Sequence, residues 1–224
     1  PVLFMGLGYD AAIDDQRVGS VVGSHTMGRG IVALDALTGE TLWQAAAAPG
    51  DAPVSFIDSR LRYSVPSDLA VLDRNGDGTA DRIYFGDTGG QLWRVDISNA
   101  LRSEWRATVL LDAGVQSKFL FAPDVAIGPE GGYDAVIVGS GDREDPLNSD
   151  NQDALYLLRD YRQAGLLDSS APALAPRDLL SLATNADGSS FTTDPDQLSS
   201  AEAVRYANGW QLPLQRGEKT VSRV

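Results

Sequence analysis

The stretch SDLAVLDRNGDGTADRIYFGDTGGQLWRVDISNALRSEWRATVLLD, Ser67–Asp112, decides how this chain folds. Apolar runs alternate in it with polar turns: Leu69–Val71, Ile83–Gly86, Leu92–Asp96 and Trp105–Asp112 are each set off by Gly, Asp, Asn or Ser. Short runs rich in β-branched and aromatic residues, bounded by turn formers, read as strands rather than helices. The stretch is therefore four antiparallel strands, A to D, joined by hairpins.

The same pattern recurs on either side. Strand B has the counterparts VLFMG, ending at Gly6, and VIVG, ending at Gly139. Strand C has IVALD and LYLLRD, whose terminal Asp35 and Asp160 flank Asp96 at separations of 61 and 64 residues. PSDLAV (66–71) matches APDVAI (122–127) as strand A, and TLWQA (41–45) matches WRATVLLD as strand D. A repeated four-stranded antiparallel sheet is the blade of a β-propeller. The fold expected is all-β: a modified propeller of four-stranded blades, about three to four of them here. Residues 1–224 form a single propeller domain, with blade-like units at 1–45, 66–112 and 122–160. A β-sandwich is the competing architecture. The strands repeat while the B–C connections differ in length, as loops on a fixed scaffold do. Strand alternation puts the A–B hairpins and the LTGE turn of Thr38–Glu40 at one edge. It puts the acidic B–C loops around Asp14, Asp87 and Glu144 at the other.

Composition narrows the function. The 224 residues carry a net charge of −13, which argues against nucleic acid and anionic membranes as partners. Cysteine is absent, so no thiol nucleophile or disulfide framework is available. No run approaches the ~20 apolar residues that cross a bilayer. The chain opens on a strand-like run, PVLFMG, and ends as GEKTVSRV turns strand-like, so a fragment of a longer protein is expected. Residues 161–198, rich in Ser, Ala, Pro and Asp, read as an irregular insertion. A helix and a strand follow in 199–224: Ser199 and Glu202 form a capping-box pattern, Gly209 suits the helix stop, and WQLPL is the strand.

The A–B turn of the second unit is unusual. Asp73, Asn75, Asp77 and Asp81 stand at loop positions 1, 3, 5 and 9, with Gly78 at position 6 and the Thr79 carbonyl at 7. Calcium takes six to eight hard oxygen ligands, and this alternation brings successive oxygens to one side of a sharp turn. Position 12 is Tyr84 in a strand rather than the Glu of an EF-hand, so Asp81 supplies the late carboxylate. The expected ligands are Asp73, Asn75, Asp77, Thr79 and Asp81, and the expected cofactor is Ca2+. A metal-free, Asx-rich turn is the plainer reading, and magnesium suits few protein ligands and several waters.

The remaining candidates carry less chemistry. His25, the sole histidine, reads as a surface loop residue with no partner for a triad. GDREDPLNSDNQD (141–153) is acidic but out of register for a cation, and reads as a solvated face with Arg143 paired locally. GLGYDAAIDD lacks the third glycine of a dinucleotide fingerprint. Trp43, Trp93, Trp105 and Trp210 read as core or inter-blade packing. No catalytic set assembles, and the chain reads as non-enzymatic.

GYDAAIDD, IVALDALTGETLW, VPSDLAVLDRNGDGTADRIYFGDTGGQLWRVDIS, FAPDVAI, VIVGSGDREDPLN, DALYLLRD and GWQLPLQRGEKTVS occur in this order. The series resembles the C-terminal propeller of the PilY/PilC type IV pilus proteins over nearly the whole chain. The resemblance implies a calcium loop at the five residues above. It also implies export to the cell surface, pilus tip or outer membrane, and partners among pilus subunits, minor pilins and a host or surface receptor. The implied role covers pilus biogenesis, control of retraction, twitching motility and adhesion. Two other likenesses are partial. ALDALTGETLW resembles one blade motif of pyrroloquinoline-quinone dehydrogenases, in this copy alone. DRNGDGTAD resembles the calcium hairpins of integrin-type propellers, which would repeat it in consecutive blades, whereas the third unit has GPEGGYD.

Overall fold

The computed structural model describes residues 1–16, 23–49, 54–129, 132–161, 172–182 and 198–222. Its strands form three sheets. The first joins β1 (Val2–Leu7), β2 (Gly28–Asp35) and β3 (Thr41–Ala46) antiparallel, with β4 (Phe56–Ile57) parallel beside β3. The second is β5 (Ala70–Leu72), β6 (Arg82–Gly86), β7 (Gln91–Asp96) and β8 (Arg106–Asp112), antiparallel throughout. These are the four strands expected of Ser67–Asp112.

In the third sheet β9 (Asp124–Ile127), β10 (Asp134–Gly139) and β11 (Ala154–Asp160) fill positions A to C. Position D is taken by β13 (Gly209–Pro213), antiparallel to β11, and β12 (Leu180–Ser181) lies parallel outside it. The WQLPL strand thus completes the third sheet, and residues 161–208 are an excursion between its strands C and D. Most of that excursion, 162–171 and 183–197, lies outside the described residues.

Among the described residues two short α-helices interrupt the sheets. α1 (Ala11–Asp14) sits in the B–C connection of the first sheet. α2 (Ser200–Asn208) begins at the expected capping box, in which Ser199 N–H donates to Glu202 Oε2 at 2.9 Å, and stops at Gly209. No helix among the described residues is long and apolar enough to cross a membrane. Residues 218–222, expected to turn strand-like, are irregular; they hydrogen-bond to the third sheet through Thr220 N–H and the Ser140 carbonyl at 3.1 Å.

The second sheet lies between the other two, so its central strands β6 and β7 are buried on both faces. Side chains alternate across a strand. Ile83, Phe85, Trp93, Val95, Ala107 and Val109 pack with Ile31, Ala33 and Trp43 of the first sheet. Tyr84, Leu92 and Leu110 pack with Val136, Val138, Tyr156 and Leu158 of the third. Trp43, Trp93 and Trp105 are core residues as expected, while Trp210 is only half-buried on β13.

The repeated glycines at the ends of the B strands have a common cause. A Cβ on Gly6 would stand 2.2 Å from the Val65 carbonyl oxygen, one on Gly86 2.3 Å from Phe119 Cβ, and one on Gly139 2.4 Å from Thr220 Cγ2. In each case the segment leaving a sheet crosses back over the end of that sheet's own strand B. Gly86→Ala is therefore expected to cost about 1–3 kcal/mol, as overpacking does. Chemical denaturation checks this, and an unchanged midpoint would show that Phe119 yields freely.

Candidate functional site

The A–B hairpin of the second sheet holds all five expected ligand residues between β5 and β6. Gly76 and Gly78, at φ of 75° and 87°, supply the left-handed backbone that bends it. Asp73 accepts from Gly76 N–H at 2.7 Å and Gly78 N–H at 2.8 Å. Asn75 Oδ1 accepts from Asp77 N–H at 2.8 Å. Asp77 accepts from the Thr79 N–H at 2.8 Å and from its hydroxyl. These two groups on Thr79 hold the exposed Asp77 carboxyl below the usual carboxylate range. Asp81 is buried and accepts from Arg74 N–H at 2.8 Å and Asn75 N–H at 3.3 Å.

The loop thus closes on its own main chain. Among the described residues no three Asp, Glu, His or Cys side chains stand together closely enough to share a metal ion. The donor set itself suits a hard cation: three carboxylates, an amide oxygen and a carbonyl on one bent hairpin, with no sulfur or imidazole.

Beneath the loop lies a buried polar network that the sequence reading missed. Asp134, the first residue of β10, is fully buried. Its Oδ1 accepts from Arg74 Nε at 2.8 Å, and its Oδ2 accepts from Arg82 Nη1 and from the Tyr84 hydroxyl at 2.7 Å. The Tyr84 hydroxyl also lies 3.0 Å from Asp160 Oδ2. That oxygen accepts from Arg94 Nη1 at 2.8 Å, and Arg94 Nη2 reaches Asp96 at 3.1 Å. Burial opposes the Asp134 charge, but Tyr84 and the guanidinium groups of Arg82 and Arg74 hold its pKa below the ordinary range. Burial pushes the Tyr84 phenol well above its ordinary value. The visible signal was two arginines, Arg82 and Arg94, inside otherwise apolar strands.

At the opposite edge the B–C connections of the three sheets meet. Lys118, buried, donates to the Asp14 carbonyl and to Asp142 at 2.8 Å. His25 is not a surface residue: it is buried, with Nε2 2.6 Å from Asp14 Oδ1 and 3.3 Å from Thr88 Oγ1. Asp14 lies in the same connection, but Thr88 comes from the next sheet, and that closure hid the burial from a local reading. One ring nitrogen faces both groups, whereas a catalytic relay uses the two nitrogens separately. The acidic loop 141–153 is likewise only partly solvated. Arg143 does pair with Glu144 at 3.1 Å near the surface, but Asp142 and Asp153 are buried.

Comparison with known proteins bears on the fold. No family model matches the chain. It is 27% identical over 230 residues to the type IV pilus biogenesis factor PilY1 homolog of Xylella fastidiosa (strain Temecula1), an alignment covering 94% of this chain. The chain spans only 15% of the length of that relative. Its fold is similar to the crystal structure of the Pseudomonas aeruginosa PilY1 C-terminal domain, with a TM-score of 0.60 at 21% identity. The superposition covers 85% of this chain and 45% of that one. Sequence and fold therefore support the same resemblance, to a PilY1 C-terminal domain.

Proposed function

We propose that this chain is the calcium-binding propeller region of an exported type IV pilus-associated protein that serves pilus biogenesis, retraction control, twitching motility and adhesion. The observation that carries the reading is the three-sheet repeat, matched in sequence and fold to PilY1, with the oxygen-rich hairpin at one sheet edge. The propeller reading is supported by the recurring return of each exit segment over Gly6, Gly86 and Gly139. Its partners would be pilus subunits or minor pilins and a surface receptor.

Asp73, Asn75, Asp77, the Thr79 carbonyl and Asp81 would hold the ion once the carboxylates turn from the main-chain N–H groups they accept from, and the ion would neutralise the three charges. Calorimetric titration is expected to show calcium binding that Asp77→Ala weakens at least tenfold. Asp77 is the cleaner probe, being exposed, whereas Asp81 also anchors the hairpin through Arg74 and Asn75. Saturating calcium at ~100 times the dissociation constant should add ~2.7 kcal/mol of stability. A melting curve indifferent to chelator would reduce the loop to a plain turn. A control role further requires two states that bind calcium unequally. In cells, Asp77→Ala in the full-length protein should alter surface piliation and twitching. Wild-type motility with calcium binding abolished would make the ion structural only.

A further inference from the structure

We propose that Arg74 is the positioning residue through which the state of the hairpin loop reaches the interface between the second and third sheets. The inference rests on the calcium reading and specifies what the loop would control.

Arg74 occupies loop position 2, between two expected ligands, and is held at both ends. Its main-chain N–H is bound by the Asp81 carboxylate at 2.8 Å, and its guanidinium binds Asp134 of β10 at 2.8 Å. A change that turns the Asp81 carboxylate away from the main-chain N–H groups of Arg74 and Asn75 shifts the backbone from which Arg74 reaches across. A rearrangement around Asp81 therefore acts on the Arg74 contact with Asp134.

The two arginines on Asp134 differ in a way that suits this role. The Arg82 side chain is 2% exposed, whereas that of Arg74 is 29% exposed. Arg82 is the inner, fixed counter-charge, and Arg74 is the outer one, able to leave without stranding the carboxylate. Asp134 passes the change on, because Tyr84 stands between it and Asp160, the residue paired opposite it on β11. Both central strands of the third sheet are thus reached from one loop side chain.

Amide hydrogen exchange of the whole chain, with calcium chloride or with chelator, tests this alongside calorimetry. In the wild type, calcium should change exchange at Ala135–Val138 of β10 by about fivefold or more, the lower end of ordinary coupling between sites. Arg74→Gln should still release binding heat and still change exchange in the β5–β6 hairpin, but lose the response in β10. Arg74→Lys should restore part of the β10 response. Binding heat with the β10 response intact in Arg74→Gln overturns the relay alone. Absence of binding heat in the wild type overturns the calcium reading and the relay with it.

Discussion

Replacing Asp134 by Ala is expected to lower the unfolding free energy by about 3–5 kcal/mol, the usual cost of breaking a buried ion pair from one side. The residue is fully buried and accepts from Arg74, Arg82 and Tyr84. Its removal takes the carboxylate from between two guanidinium groups whose desolvation has already been incurred. Asp134→Asn, which keeps an acceptor oxygen but no charge, should cost less. Arg216→Ala supplies the contrast: its pair with Asp150 at 3.4 Å is well exposed, and such pairs are worth about 0–1 kcal/mol. Urea denaturation of the three variants decides the matter. A cost below about 1 kcal/mol for Asp134→Ala would mean that the network relaxes around the gap.

The second large effect depends on pH. Asp87, which follows β6, is buried and accepts from Gly89 N–H at 3.0 Å, Gln91 N–H at 2.9 Å and Trp93 Nε1 at 2.9 Å. Burial pushes its pKa from the ordinary carboxylate range up to about 7, against the pull of those donors. The folded state then binds more protons than the unfolded state between the two values, so stability falls as pH rises through that window. At ~1.4 kcal/mol for each tenfold change in proton affinity, the loss by pH 8 is about 4 kcal/mol. Asp153, also raised by burial, acts in the same direction. Asp14, Asp58 and Asp134 have lowered values despite burial, through their hydrogen bonds and charged partners, and so withdraw stability as pH falls below the carboxylate range. Stability should therefore peak near pH ~4, at the foot of that window. Thermal melts from pH 4.5 to 8 check this, and Asp87→Asn should flatten the descending limb. A rise in stability toward pH 8 would show that the N–H donors outweigh burial.

The sheets were legible because strand alternation and turn chemistry are local. The run from Leu69 to Asp112 became β5 to β8, and the capping box at Ser199 became the start of α2. The fourth strand of the third sheet was not assigned to it, because a long excursion separates β13 from β11 and no local pattern records that pairing. Burial of His25, Lys118 and Arg94 escaped for a related reason. A charged residue reads as exposed until its partner is known, and Lys118 finds Asp14 across 104 residues. The spacing of Asp73 to Asp81 was plain, but not that Asp81 would serve the hairpin's main chain. Asp35, Asp96 and Asp160 were seen as one repeat, yet they divide in function. Asp35 caps the turn at Leu37 and Thr38, whereas Asp96 and Asp160 hold Arg94.

The return of each exit segment over the end of its own sheet bears on how such chains could be recombined. A crossover placed at the last residue of a D strand would give one parent's sheet the other parent's closing segment. The partner of Gly86 would then be a foreign side chain in place of Phe119, fitted to a different gap. A crossover placed after residue 65 or after residue 120 keeps each glycine with the segment shaped to cover it. Gene shuffling among homologues should accordingly tolerate crossovers at those two junctions and fail a few residues earlier. The heritable module would then be a sheet together with its closing segment.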